Sequence, residues 1–170
     1  MKSLYSWQEQ MLPHIDPPPR WKRAETHVIE EYDLIEDHAS WHDARTEDDE
    51  LIEIKSCACE YEDGSVGEFA VWEYQWVELV TRGKFALLVY IPDADCTVLA
   101  TKMVFPGQIG KAGTVSKRKH PTMGRQRLRR VPWPEVISLD EIEPRKRHYF
   151  TDYYSEEEVE KTAFWYPPNE

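Results

Sequence analysis

Apolar and polar residues alternate most regularly between Glu50 and about Tyr61. Ile52 and Ile54 fall on one face of a strand and Leu51, Glu53 and Lys55 on the other, the period-two signature of a pleated strand. Cys57 and Cys59 alternate onto the Lys55 face. Upstream, Tyr32 to Arg45 reads as one extended stretch with Leu34, Ile35, Ala39 and Trp41 as its apolar content. The acidic run Glu47-Asp48-Asp49 joins the two strands, and a turn centred on Asp48 sets Asp43 opposite Glu53. A helical stripe of Trp21, Ala24, Val28 and Ile29 predicts a helix from Arg20 to about Glu31, started by a stiff run of prolines. Ser65-Val66-Gly67-Glu68 has the form of a capping box. It predicts a helix with Phe69, Trp72, Trp76, Leu79 and Val80 on its apolar stripe and Gly83 as its stop.

Lys84 to Ile91 is almost continuously apolar, as expected of a strand buried on both faces, and Cys96 to Phe105 returns as a further strand. Pro106 to Arg130 contains four glycines and reads as a long loop or arm. Val131 to Leu139, with two prolines, reads as a short edge strand. The tail has a second capping box at Ser155 to Glu158, opening a helix that ends in Phe164-Trp165-Tyr166-Pro167-Pro168, aromatics expected to dock on the body or on a second subunit of a homodimer. A short helix around Trp7, Met11 and Leu12 precedes the proline run. The expected layout is a single domain over 1–170, with an extension at 1–19, a core at 20–105, a basic loop at 106–130 and a strand and helix at 131–170.

Composition narrows the class. The chain has 170 residues, 41% of them hydrophobic, with seven Trp and nine Tyr, which is enough for a folded core. No apolar run is long enough to cross a bilayer and no signal-peptide pattern opens the chain, so a cytoplasmic protein without membrane contact is expected. The three cysteines are too few and too closely spaced for a standard zinc knuckle, and buried thiols are expected instead. A net charge of −11 speaks against nucleic acid as a partner, since phosphates repel an acidic protein. The distribution reverses that inference. Between Asp95 and Glu135 there is no acidic residue, while the window holds Lys102, Lys111, Lys117, Arg118, Lys119, Arg125, Arg127, Arg129 and Arg130. That asymmetry is what a phosphate-gripping surface on an acidic body looks like.

Two carboxylates opposed on a hairpin repel, and a divalent cation between them reverses the sign. Asp43, a short gap, then Glu53-Ile54-Lys55 on a strand resembles the PD-(D/E)xK nuclease superfamily, although His42 stands where the motif often has proline. The order helix, strand, strand, helix, strand, strand agrees with that resemblance. It implies an α/β (α+β) fold with a restriction-endonuclease-like core, a mixed central β-sheet flanked by helices. It also implies that Asp43, Glu53 and the carbonyl of Ile54 hold Mg2+, with Mn2+ as a substitute, and that Lys55 orients the attacking water or steadies charge on the phosphate. One more acid from the preceding helix is implied. Glu25 is the first choice, with Glu30 and Glu31 as alternatives. Gln75 matches a glutamine that several branches carry on the helix after the second motif strand, though the companion tyrosine four residues on is Leu79 here. Glu53, beside Lys55 and a dication, is expected to remain ionised. The reaction implied is hydrolysis of phosphodiester bonds, in DNA more than in RNA. The rival class is a nucleic-acid-binding or assembly module without catalysis.

Overall fold

The computed structural model describes residues 19–164 apart from residues 40 and 94. The helix expected around Trp7 and the aromatics from Trp165 onward lie outside the described residues. Helix α1 (Arg20–Glu31) starts where Pro19, lacking an N–H, offers its carbonyl to the amides of Lys22 and Arg23. It buries Ala24, Glu25 and Val28 against a sheet. The stretch read as one extended segment is two strands, β1 (Ile35–Ala39) and β2 (His42–Arg45), which pair antiparallel because the chain reverses between Ala39 and His42. Strand β3 (Leu51–Ala58) then runs antiparallel to β2, with Ala44 opposite Ile52 and Arg45 opposite Leu51. This is the register expected from the turn at Asp48, and Asp49 takes the left-handed φ of 64° that closes it.

The central sheet continues from β3 to a parallel β5 (Gly83–Tyr90) and then to an antiparallel β6 (Val98–Val104). Its order is β1-β2-β3-β5-β6, and the pairing is mixed. Phe85 to Val89 of β5 are all buried, as their continuous apolar run requires. One face of this sheet packs Ala44, Ile52, Ala86 and Leu88 under α1. The other carries Cys57, Phe85, Leu87 and Val89 into the larger core. The alternation read from the sequence is therefore real, and both β3-face thiols are buried and unpaired.

The link between β3 and β5 differs from expectation. Residues Glu68–Trp72 form strand β4, and only Glu73–Leu79 are helical, as α2. Phe69 and Val71 are buried while Ala70 between them is exposed, so a strand alternation was hidden inside a helical spacing. Ser65 caps nothing there. Its backbone N–H and hydroxyl both bond the Asp63 carboxylate. Gly83 does not end the helix but opens β5, where a Cβ would lie 1.9 Å from the carbonyl oxygen of Leu51.

The basic segment is not a loop. After the short helix α3 (Pro106–Gly110), β7 (Thr114–His120) and β8 (Gly124–Pro132) form a hairpin, and β8 pairs with β4 to make a second sheet of order β4-β8-β7. Gly124, at φ 73°, completes its turn. Beyond Pro132 the predicted edge strand is replaced by 3-10 turns, and β8 is the central strand of its sheet rather than an edge. Trp133 is fully buried, donates from Nε1 to the carbonyl of Cys59 at 2.8 Å, and meets Phe150, Tyr153 and Tyr154 edge-on. The tail ends in α4 (Glu156–Phe164), with the Glu158 amide donating to the Ser155 hydroxyl as a cap. The fold is α+β, a mixed central sheet flanked by helices. Among the described residues no helix is long and apolar enough to cross a membrane.

Candidate active site

The hairpin of β2 and β3 brings Asp43, Glu53 and Lys55 together. Asp43 Oδ2 accepts the backbone N–H of Ile54 at 2.9 Å, which ties its side chain to the edge of β3 beside Glu53. Glu53 is 5% exposed. Its Oε1 lies 3.1 Å from Lys55 Nζ and accepts from Gln75 Nε2 at 2.9 Å. Burial pushes the Glu53 carboxyl up to about 7; Lys55 pulls it down, and Asp43 pushes it up again. Without a cation, desolvation outweighs the one amine beside Glu53; the ionised carboxylate expected beside Lys55 and a dication together concerns the loaded site.

Glu25, on α1, is as buried as Glu53. Glu30 and Glu31 are exposed, and Glu31 instead accepts from Thr101. The link between Glu25 and the hairpin is His38 on β1, which no spacing in the sequence singled out. Its Nε2 lies 3.3 Å from Glu25 and 2.8 Å from Glu36, and its Nδ1 lies 3.6 Å from Asp43. The hydrogen bond to Glu36, followed by the charges of Glu25 and Asp43, holds the imidazole proton above its ordinary range. Ligand atoms of Glu25, Glu36 and His38 all lie within 4.8 Å of one another. Lys22 reaches Glu25 and Glu36 at 3.3 and 3.4 Å.

The donors suit a hard divalent cation. They are mostly carboxylate oxygens, with Glu25 and Glu53 buried, and two amines, Lys22 and Lys55, stand against the four acids Glu25, Glu36, Asp43 and Glu53.

Gln75 sits on the first turn of α2, and its amide is used twice. Its Oε1 accepts from the Trp72 N–H while its Nε2 holds Glu53. The neighbouring Tyr74 has its phenol raised by burial and then by the charge of Glu53, which places it within electrostatic reach of the acids. The Tyr74 hydroxyl lies 3.4 Å from His120 Nε2, at the tip of the hairpin. His120 Nδ1 accepts from the amides of Thr122 and Met123, so the proton sits on Nε2 and the imidazole donates to Tyr74. Neither Tyr74 nor His120 could be found from the sequence, because their contact spans forty-six residues.

The hairpin sorts the basic residues by face. Lys117 faces Arg127, Lys119 faces Arg125, and Arg129 shares that side with Val115. Arg118 and Arg130 project from the other side, and Lys111 is exposed at the end of α3. Lys102 lies on β6, bonded to Glu141 and the Val136 carbonyl, and is not part of this surface. Glu73 of α2 reaches Arg127 at 3.7 Å.

A family model described as a PD-(D/E)XK nuclease superfamily domain matches residues 20–138, which span α1, the central sheet, the acid cluster and the hairpin. No curated protein matches the chain.

Proposed function

The chain belongs to the PD-(D/E)XK nuclease superfamily, and from that membership we propose that it is a metal-dependent nuclease hydrolysing phosphodiester bonds of DNA. The observation that carries the reading is the meeting of the Asp43 and Glu53 carboxyls, from adjacent antiparallel strands, with the Lys55 amine 3.1 Å from Glu53. Asp43, Glu53 and the carbonyl of Ile54 would hold a divalent cation, magnesium or in its place manganese, with Glu25 as a further acid. Such a cation, when bound, neutralises charge on the scissile phosphate and makes a neighbouring water more acidic.

The other roles belong to the chain itself. Lys55, 16% exposed at its side chain, can direct its amine at the attacking water or at a non-bridging phosphate oxygen. Near neutrality Glu53 shares its time between the protonated and ionised forms, and it releases the proton from its carboxyl oxygen when positive charge arrives. Gln75 fixes the Glu53 rotamer, and His38 spaces Asp43 from Glu25. Lys117, Lys119, Arg125 and Arg127 would grip flanking phosphates. Opposed like charges on one face of a hairpin cost stability, and a polyanion offsets that cost.

The test is incubation with supercoiled, linear, branched and single-stranded DNA, with and without magnesium. Magnesium-dependent cleavage is expected, falling by at least about a hundredfold in Lys55→Met and Asp43→Asn. A folded parent that cuts none of these, and whose melting temperature ignores magnesium, overturns the reading in favour of a binding module.

A further inference from the structure

We propose that the pocket between α2 and the root of the β7–β8 hairpin receives one unstacked nucleobase of a single-stranded DNA segment. The proposal takes only the identity of the polymer from the nuclease reading. Its wall is the indole of Trp76, held in place because Nε1 donates to the Pro106 carbonyl at 2.6 Å. Gly110 lines the pocket beside that ring, and a Cβ there would stand 3.3 Å from Trp76 Cζ2 and crowd it. Val71 and Val115 supply the apolar floor. Val115 is 48% exposed on an otherwise charged face.

The cavity measures about 200 Å³. An apolar cavity of about 150 Å³ takes benzene, so this one has room for a single planar ring system. Its rim carries Arg127 and Arg129, the latter anchored by donation to the Ala112 carbonyl at 2.7 Å, together with Glu73. Two guanidiniums suit the phosphate attached to a docked base, and Glu73, 3.7 Å from Arg127, helps to orient one of them. A second depression, lined by Lys117, Arg125 and Arg127, adjoins the first and would carry the next phosphates. Bases within a duplex are already stacked on one another, so only an unpaired one can reach Trp76. Stacking on an aromatic side chain depends little on sequence, so tolerance of all four bases is expected.

The test is equilibrium binding in EDTA, where no cleavage occurs, of a short single-stranded oligonucleotide carrying one 2-aminopurine. The wild type is expected to quench the 2-aminopurine, and Val115→Phe, which fills the pocket from an exposed position, should weaken binding about tenfold and abolish the quench. Trp76→Leu should do the same, with Val115→Phe serving as the control for any loss of folding. Duplex binding should change less than twofold, about the scatter between titrations. Equal affinity for an abasic strand, full displacement by equimolar free nucleoside monophosphate or polyglutamate, or an unaltered quench in Val115→Phe would each overturn the proposal. A chain that binds base-bearing strands in this way and yet never cuts them leaves the pocket standing and sinks the roles given to Asp43 and Glu53.

Discussion

Replacing Glu53 by Gln isolates the electrostatics of the acid cluster. In the folded protein without a cation its carboxyl is pushed up to about 7 from the ordinary 4.5, chiefly by burial. At 1.36 kcal/mol per pH unit that rise corresponds to roughly 3 kcal/mol. The sign follows from proton counting. Between pH 4.5 and 7 the folded state holds this proton while the unfolded chain has released it, so stability falls as pH rises through the window and levels off above it. Glutamine binds no proton and lacks the fall. It also removes the carboxylate that Lys55 pairs with once Glu53 ionises, an attraction already contained in the Glu53 shift. Urea denaturation in EDTA, at a series of pH values from below 4.5 to above 7, should show the variant gaining about 3 kcal/mol on the wild type. Parallel stability curves, or a wild type that gains on the variant, would refute the claim that desolvation outweighs Lys55.

The remaining predictions test other parts. Saturating magnesium at a hundred times its dissociation constant should stabilise the wild type by about 2.7 kcal/mol, and the Glu53→Gln and Asp43→Asn variants by much less, as read from the shift in melting temperature. The double change Lys117→Ala and Arg127→Ala should lower the slope of log K against log salt for duplex DNA by about 1.8, measured by anisotropy titration. Trp133→Phe should cost about 1–3 kcal/mol in urea denaturation, because the buried Cys59 carbonyl loses its donor at 2.8 Å. Gln75→Leu should reduce cleavage while leaving DNA affinity unchanged, since it frees the Glu53 rotamer and touches no hairpin cation.

Much of the acid cluster was legible because β3 has one strict alternation and a short turn. Once Ile52 and Ile54 are assigned to one face, Glu53 and Lys55 have nowhere else to go, and the turn fixes Asp43 opposite. Glu25 was legible as a carboxylate on an apolar stripe. The second sheet was not. Strand β7 reads Thr114-Val115-Ser116-Lys117-Arg118-Lys119-His120, polar on both faces, so it has no burial pattern to betray a strand. Strand β4 was hidden for the opposite reason: Phe69, Trp72, Trp76 and Leu79 satisfy a helical period while Phe69 and Val71 satisfy a strand, and pairing with β8 decided between them. His38 had no signal at all. It is one histidine in a short, mostly exposed strand, and its link between Asp43 and Glu25 exists only once β2 and α1 pack beside it.

Gly83 belongs neither to the acid cluster nor to the basic hairpin, yet it governs how closely two parallel strands can lie. With 1.9 Å between its missing Cβ and the Leu51 oxygen, even alanine must wedge β5 away from β3, two positions from Glu53. The damage would surface as a misplaced carboxylate in a protein that still folds and keeps every one of its reactive groups. Searches for inactivating lesions confined to the chemistry would overlook it.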